Sequence, residues 1–153
     1  RSINFIVSNH YGPGDYTDPI KVHAINGMII RMIKLKRERK SEFEIWGTGK
    51  PVREWSYIDD IVSVLTKGLT IKEDLTYPVN IAQNKGYAIA QSARMIAKAV
   101  GFAGKLLFNT KYQDGAPKKV LDNKRFKHLF PKFKFTDHYE GILKTVRYYE
   151  SVL

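Results

Sequence analysis

Trp46-Gly47-Thr48-Gly49-Lys50-Pro51-Val52-Arg53-Glu54-Trp55-Ser56-Tyr57-Ile58-Asp59-Asp60 is the stretch on which the reading of this chain turns. Just upstream, Phe43 and Ile45 alternate with acidic residues into Trp46, the period of two that a half-buried strand requires. Gly47, Thr48 and Gly49 break that strand with turn residues. A second short strand is expected from Arg53 to Tyr57, and Asp59 or Asp60 is placed to cap a helix carrying Ile61, Val62, Val64, Leu65 and Leu69.

The same alternation extends in both directions. Ile3, Phe5, Ile6 and Val7 read as a buried strand, followed by a turn-rich loop from Asn9 to Pro19. Ile25, Met28, Ile29, Met32, Ile33 and Leu35 recur at helical spacing, which predicts a helix from about His23 to Lys40. Downstream, the pattern predicts a strand over Pro78 to Ala82, a helix from Ile89 to Val100 stopped by Gly101, and a strand over Lys105 to Phe108. Asp137 and Glu140 have the spacing of a capping box for a last helix through Ile142, Leu143, Val146 and Tyr149. Strands separated by helices throughout, with no repeat and no linker, argue for one α/β or α+β domain.

The 153 residues suffice for one core but not for a core plus a complete dinucleotide-binding domain. Cysteine is absent, which excludes disulfides, a thiolate metal site and a cysteine nucleophile; no metal is expected, and a reducing compartment, the cytoplasm, is. No apolar run is long enough to span a bilayer. The net charge of +11 raises nucleic acid or another polyanion as a partner, through Lys34 to Lys40 and Lys118 to Lys134. No aromatic residue interleaves the first of these runs to stack a base, and cations suit a helix carboxyl end, so a solvated helix terminus is the preferred reading. A strand this close to Arg1 suggests a chain that starts within a sheet, hence a truncated piece. Without neighbours, that strand is expected to be disordered, re-paired within the chain, or shared between two copies.

Two chemistries are missing from the sequence. Gly12 with Gly14, Gly47 with Gly49, and Gly101 with Gly104 each lack the third glycine and the strand-to-helix setting of a dinucleotide fingerprint. None of the nine tyrosines has a lysine four residues later, the pairing by which short-chain reductases lower a phenol pKa.

The segment Asn9-His10-Tyr11-Gly12-Pro13-Gly14-Asp15, followed by Trp46 to Asp60, nevertheless resembles the signatures of the extended short-chain dehydrogenases that act on nucleotide sugars, the NAD(P)-dependent epimerase/dehydratase family. His23-Ala24-Ile25 with Arg31, Gly101 to Lys105, Asp114 to Lys119 and Glu140-Gly141-Ile142 draw the resemblance toward its GDP-L-fucose synthase branch, the GDP-4-keto-6-deoxymannose epimerase/reductases. Essentially the whole chain is covered. The resemblance implies that this is the carboxy-terminal, substrate-binding domain (1–153), that 1–22 is a strand and loop left from the parent Rossmann sheet, and that the Rossmann half is missing. It further implies NADP or NAD in the intact parent, a GDP-sugar or a related CDP-sugar as substrate, a homodimeric parent, and an isolated chain that is inactive.

Residue by residue, the resemblance places Arg31, Trp46, Arg53, Asp114 and Lys118 on the nucleotide sugar, Ser8, Asn9 and His10 at the nicotinamide end of the cofactor, and His23 at the junction as a general acid. The chemistry is compatible: Arg53 presents a planar fork for a diphosphate, Trp46 a flat face, and Asp114 paired acceptors for a guanine edge or ribose hydroxyls. Plainer readings compete, namely an ion pair of Arg53 with Glu54 or Asp59, a core position for Trp46, turn capping by Asp114, and a first-turn role for His23. The family's usual residues differ at Val7, His10, Tyr16, Val22 and Ala82; Tyr16 and Val22 are expected to flank the sugar pocket, which leaves the hexose open.

Overall fold

Residues 2–72 and 74–153 are described by the structure, a computed structural model; the Arg1 end of the opening segment lies outside them. The elements are β1 (Phe5–Val7), β2 (Asn9–Tyr11), α1 (Ala24–Arg37), β3 (Glu42–Trp46), β4 (Val52–Tyr57), α2 (Ile58–Gly68), β5 (Val79–Ile81), β6 (Gly86–Ala88), α3 (Ile89–Val100), β7 (Lys105–Asn109), β8 (Lys118–Lys119), α4 (Lys124–Leu129) and α5 (His138–Val152). This is a mixed α/β architecture. Among the described residues three small sheets carry it: β1 with β5 in parallel, β3 with β7 in parallel, and a third built around β4.

Strand β4 serves several partners along its length. Its second half pairs in parallel with β2, Trp55 opposite Asn9 and Tyr57 opposite Tyr11, while its first half pairs antiparallel with β6 and in parallel with the two-residue β8. The Glu54 carboxylate holds this junction. It is only 1% exposed, and it accepts backbone N–H bonds from Gln83, from Asn84 (3.0 Å) and from Leu121 (2.8 Å). A buried carboxylate is tolerated only when its lone pairs are filled, and three main-chain donors do that here.

Two apolar cores result among the described residues. In the larger, Ile25, Ile29, Met32 and Ile33 of α1 meet Phe43 and Ile45 of β3, Ile96 and Val100 of α3, and Ile142, Val146 and Tyr149 of α5. In the smaller, Ile61 and Val64 of α2 meet Val79 and Ile81 of β5 and Phe126 of α4. The basic end of α1 is partly used inside the protein: Lys36 Nζ donates to Val100 O at the end of α3 (2.6 Å), and an Arg37 Nη donates to Glu150 O near the end of α5 (3.2 Å). Cations there complement the carboxyl-terminal poles of neighbouring helices as well as their own.

Several expectations are corrected. Helix α1 stops at Arg37 rather than Lys40, because Arg39 adopts a left-handed conformation (φ 55°) and Lys40 N turns back to Leu35 O (2.9 Å). Neither Asp59 nor Asp60 caps α2, whose N-cap is Tyr57; β4 runs into the helix without a loop, and Asp60 instead accepts from Thr136 N and Oγ1 at 2.8 and 2.9 Å. Strand β1 is not buried throughout: Phe5 and Val7 face the smaller core while Ile6 is 47% exposed. At α5, Asp137 caps Tyr139 N and Glu140 N, but Glu140 pairs with Lys144 (2.9 Å), so only half of the expected box forms.

Candidate functional site

Some of the residues of interest lie at or just beyond the carboxyl ends of parallel strands, a common place for ligands in open α/β sheets. Strand β3 ends at Trp46, its partner β7 ends at Asn109 directly opposite, and β2 ends at Tyr11 before the Gly12 to Val22 loop. The Gly47-Thr48-Gly49 turn departs from β3 with both glycines left-handed (φ 82° and 72°), a conformation costly for any other residue. Gly47 N donates to Asn109 O (2.9 Å), and Thr48 donates through N and Oγ1 to the two Asp114 carboxylate oxygens at 2.9 and 2.5 Å. A Cβ on Gly47 would collide with Asp114 Oδ1, so the turn requires glycine for space as well as for φ.

Asp114 is therefore first a brace between two loops: both of its oxygens already hold Thr48, 66 positions away, rather than an amide of its own turn. The Thr48 hydroxyl, then Thr48 N, with the Lys50 and Arg53 charges behind them, keep its carboxyl below the usual range. The same loop holds Arg53, whose Nη1 donates to Ala116 O (2.7 Å) and to its neighbour's Val52 O (2.9 Å). No ion pair joins Arg53 to Glu54 or Asp59 among the described residues, and the Glu54 carboxylate is occupied in the core.

Trp46 is 65% exposed, which overturns its core reading. Its indole lies flat on Tyr112 (ring centroids 4.6 Å apart, planes 16° apart), and its Nε1 donates to Glu44 Oε1 (3.1 Å). Glu44 is the local organiser: its other oxygen accepts from Asn109 Nδ2 (3.0 Å), and its main-chain carbonyl accepts from Arg31 Nη2 (2.9 Å). Arg31 also lies over Phe43, 4.6 Å from the ring centre.

Between the 17–24 loop, α1 and β3 runs a groove of about 340 Å³ that gathers His23, Arg31 and Trp46. Val22, Met28, Phe43 and Ile45 give it a mostly apolar wall, with Lys34 and Glu44 adding charge. Val22 lines it; Tyr16, 61% exposed, does not. A second cavity of about 210 Å³ is lined by His10, Gly12, Asp15, Asn26 and, again, His23. The two histidine rings are 5.9 Å apart. Ser8 and Asn9 line neither cavity: the Ser8 hydroxyl is buried against Ser56 Oγ (2.8 Å), and Asn9 Nδ2 donates to Glu54 O (3.1 Å). Lys118 stands exposed on β8 opposite Val52, outside the groove lining.

Tyr112, Glu44 and Asn26 went unassigned in the sequence, as did the partner of Asp15. An aromatic residue inside the polar 109–117 loop was the one available signal for Tyr112. Nothing local marks the others. Among the described residues, no cluster of three or more His, Asp or Glu could hold a metal ion, and no helix is long and apolar enough to cross a membrane.

An α/β fold with a mostly apolar groove between α1, β3 and the loop before α1 defines a candidate ligand-binding α/β domain. The chain belongs to the NAD dependent epimerase/dehydratase family, whose model matches residues 1–90. It is 30% identical over 150 residues to GDP-L-fucose synthase 1 of Arabidopsis thaliana, covering 97% of this chain and 45% of that protein. GDP-L-colitose synthase of Yersinia pseudotuberculosis is 28% identical over 147 residues, 94% of this chain and 46% of that one. Among solved structures, a GDP-L-fucose synthetase from Naegleria fowleri superposes with a TM-score of 0.90 at 26% identity, over 97% of this chain and 46% of that one. The same protein has also been solved bound to NADP. The chain thus spans somewhat less than half the length of these relatives.

Proposed function

We propose that this chain is the substrate-binding portion of an NAD(P)-dependent nucleotide-sugar epimerase/reductase, and that its ligand is a GDP-sugar of the GDP-4-keto-6-deoxyhexose kind. The observation that carries this reading is the groove of about 340 Å³ that brings His23, Arg31 and Trp46 together although they are scattered along the sequence. Arg31 supplies a cation for the diphosphate, and Trp46, backed by Tyr112, offers a flat face to base or sugar. The apolar wall of Val22, Met28, Phe43 and Ile45 suits the methyl group of a 6-deoxyhexose. Arg53 and Asp114, joined through the 114–116 loop, extend the site beyond the groove.

His23 stands between the two cavities, where a ring nitrogen can exchange a proton with a substrate carbon during epimerisation. The dinucleotide supplies the hydride for reduction. The side chains here fit one edge of that group at most: of Ser8, Asn9 and His10, the first two already hold Ser56 and Glu54 O, which leaves the His10 ring beside His23. Since neither a glycine fingerprint nor a tyrosine-lysine pair is present, the 153 residues are proposed to bind the sugar nucleotide without turning it over.

Titration of the isotope-labelled chain with GDP, GDP-mannose and GDP-fucose, followed by NMR, tests the reading. Chemical-shift changes should cluster at Trp46, Arg31, Tyr112 and Arg53, and weak affinity is expected from half a pocket. Unmoved resonances at these residues at millimolar ligand would sink it.

A further inference from the structure

The groove's histidine is not free to choose which nitrogen carries its proton. Asn26, 2% exposed in the first turn of α1, accepts Gly12 N through Oδ1 (3.2 Å) and donates through Nδ2 to Asp15 Oδ2 (2.9 Å). With its oxygen taken by a main-chain donor, the amide has one orientation, NH2 toward the carboxylate. Asp15 Oδ2 also accepts His23 N (3.0 Å), and Asp15 Oδ1 accepts Tyr16 N (2.8 Å). From the opposite side, the Tyr149 hydroxyl donates to the Asp15 main-chain carbonyl (3.4 Å). A loop residue is thereby fixed by α1 and α5 together. Its carboxylate then faces the imidazole, with His23 Nδ1 at 3.1 Å from Oδ1 and 3.2 Å from Oδ2.

A carboxylate can only accept, so the nitrogen facing it must donate. Burial alone would raise the Asp15 carboxyl, but the bonds from Asn26, from His23 N and its ring, and from Tyr16 N outweigh it and hold the group below the usual range. It therefore remains an acceptor at neutral pH. Nδ1 of His23 keeps its proton, and the lone pair of the neutral ring lies on Nε2. Because the ring is exposed and lines both cavities, Nε2 is the atom available to a ligand.

We infer that Asp15, oriented by the buried Asn26 amide, is a positioning residue that fixes the Nδ1–H tautomer of His23 and so makes Nε2 its proton-exchanging atom. The inference rests on the acid-base role proposed for His23 and specifies which atom performs it. An orienting carboxylate of this kind sets tautomer and ring direction without itself touching substrate.

Long-range 1H–15N correlation spectra of the 15N-labelled chain, recorded near pH 9 where an ordinary imidazole is neutral, read the tautomer directly. The wild-type ring should be mainly Nδ1–H. In Asp15→Asn it should become mainly Nε2–H, because an asparagine offers one oxygen to the donors of Asn26 and His23 N and turns its NH2 toward the ring. A carboxylate that merely caps α1 would leave the ratio unmoved. A wild-type ring that is mainly Nε2–H overturns the inference without any variant, as does an equal ratio in wild type and in folded Asp15→Asn. If Asp15→Asn does not fold, Asn26→Ala must shift the ratio in the same direction, and an unshifted ratio there is equally fatal. No ligand enters this experiment, so a failed GDP-sugar titration and a failed tautomer measurement overturn different statements.

Discussion

Lowering the pH from 7.5 to 5 should destabilise this domain through a single buried ring, His138. The ring is 2% exposed, stacked on Tyr87 (4.5 Å between centroids) and edge-on to Tyr11 (5.3 Å). The Tyr11 hydroxyl donates to the His138 carbonyl (3.0 Å), so Nδ1 (3.2 Å from that hydroxyl) carries the ring proton and Nε2 accepts from Ser92 Oγ (3.1 Å). Burial, opposed in part by Asp137 and assisted by Lys85, lowers the ring's pKa from 6.5 to about 4. Above pH 6.5 the folded and unfolded chains both hold it neutral, and stability does not depend on it. Between 6.5 and about 4 the unfolded chain binds the extra proton, so stability falls as the pH falls; below about 4 both states are protonated and the loss is complete. At about 1.36 kcal/mol per pH unit, the gap between 6.5 and about 4 amounts to about 3 kcal/mol, of which about 2 kcal/mol is lost by pH 5. Urea denaturation of wild type and His138→Gln at pH 7.5 and pH 5 checks this, each protein compared with itself so that lost stacking in the variant cancels. Wild type should lose about 2 kcal/mol more than the variant between the two pH values. Equal losses would refute the assignment of a neutral buried ring.

Two further outcomes follow from the hydrogen bonds around the site. Glu54→Gln keeps one acceptor oxygen but sets an NH2 against main-chain donors, which strands either Leu121 N–H or both Gln83 and Asn84 N–H and should cost at least about 1–3 kcal/mol in urea denaturation; faster amide exchange at Leu121 or at Gln83 and Asn84 would identify which side is lost. Gly47→Ala puts a side chain at φ 82° and against the Asp114 carboxylate. It should cost roughly 1–2 kcal/mol from backbone conformation alone. The collision adds to this, so Asp114→Ala in the Gly47→Ala background should be less damaging than the sum of the two changes, and simple additivity in thermal melts would argue that the turn and the 109–117 loop do not touch.

The near-neighbour physics of the chain was legible in the sequence. The span of α3 is Ile89–Val100 as its periodicity predicts, and Gly101 ends it at φ 69°, because apolar spacing and a left-handed stop act within one or two turns. Asp137 caps α5 for the same reason, its oxygen reaching amides two and three residues on. The glycines around Thr48 announced a tight turn, and the order of the motifs placed the chain in its family.

Contacts between distant residues were decided only by the tertiary structure. Asp60 resembles a cap in sequence but is drawn to Thr136, 76 positions away, and Asp114 reaches Thr48 across 66 positions. Trp46 falls on the exposed Glu42 and Glu44 face by the alternation of β3, but the Tyr112 ring on which it lies comes from 66 positions away. Periodicity assigns a side chain to a face, but which face meets solvent depends on what the rest of the chain packs against it. Asp15 was visible as a turn residue and His23 as a helix start. Their hydrogen bond, and the buried amide that enforces it, exist because α1 folds back onto the loop that precedes it, and no local rule encodes that return.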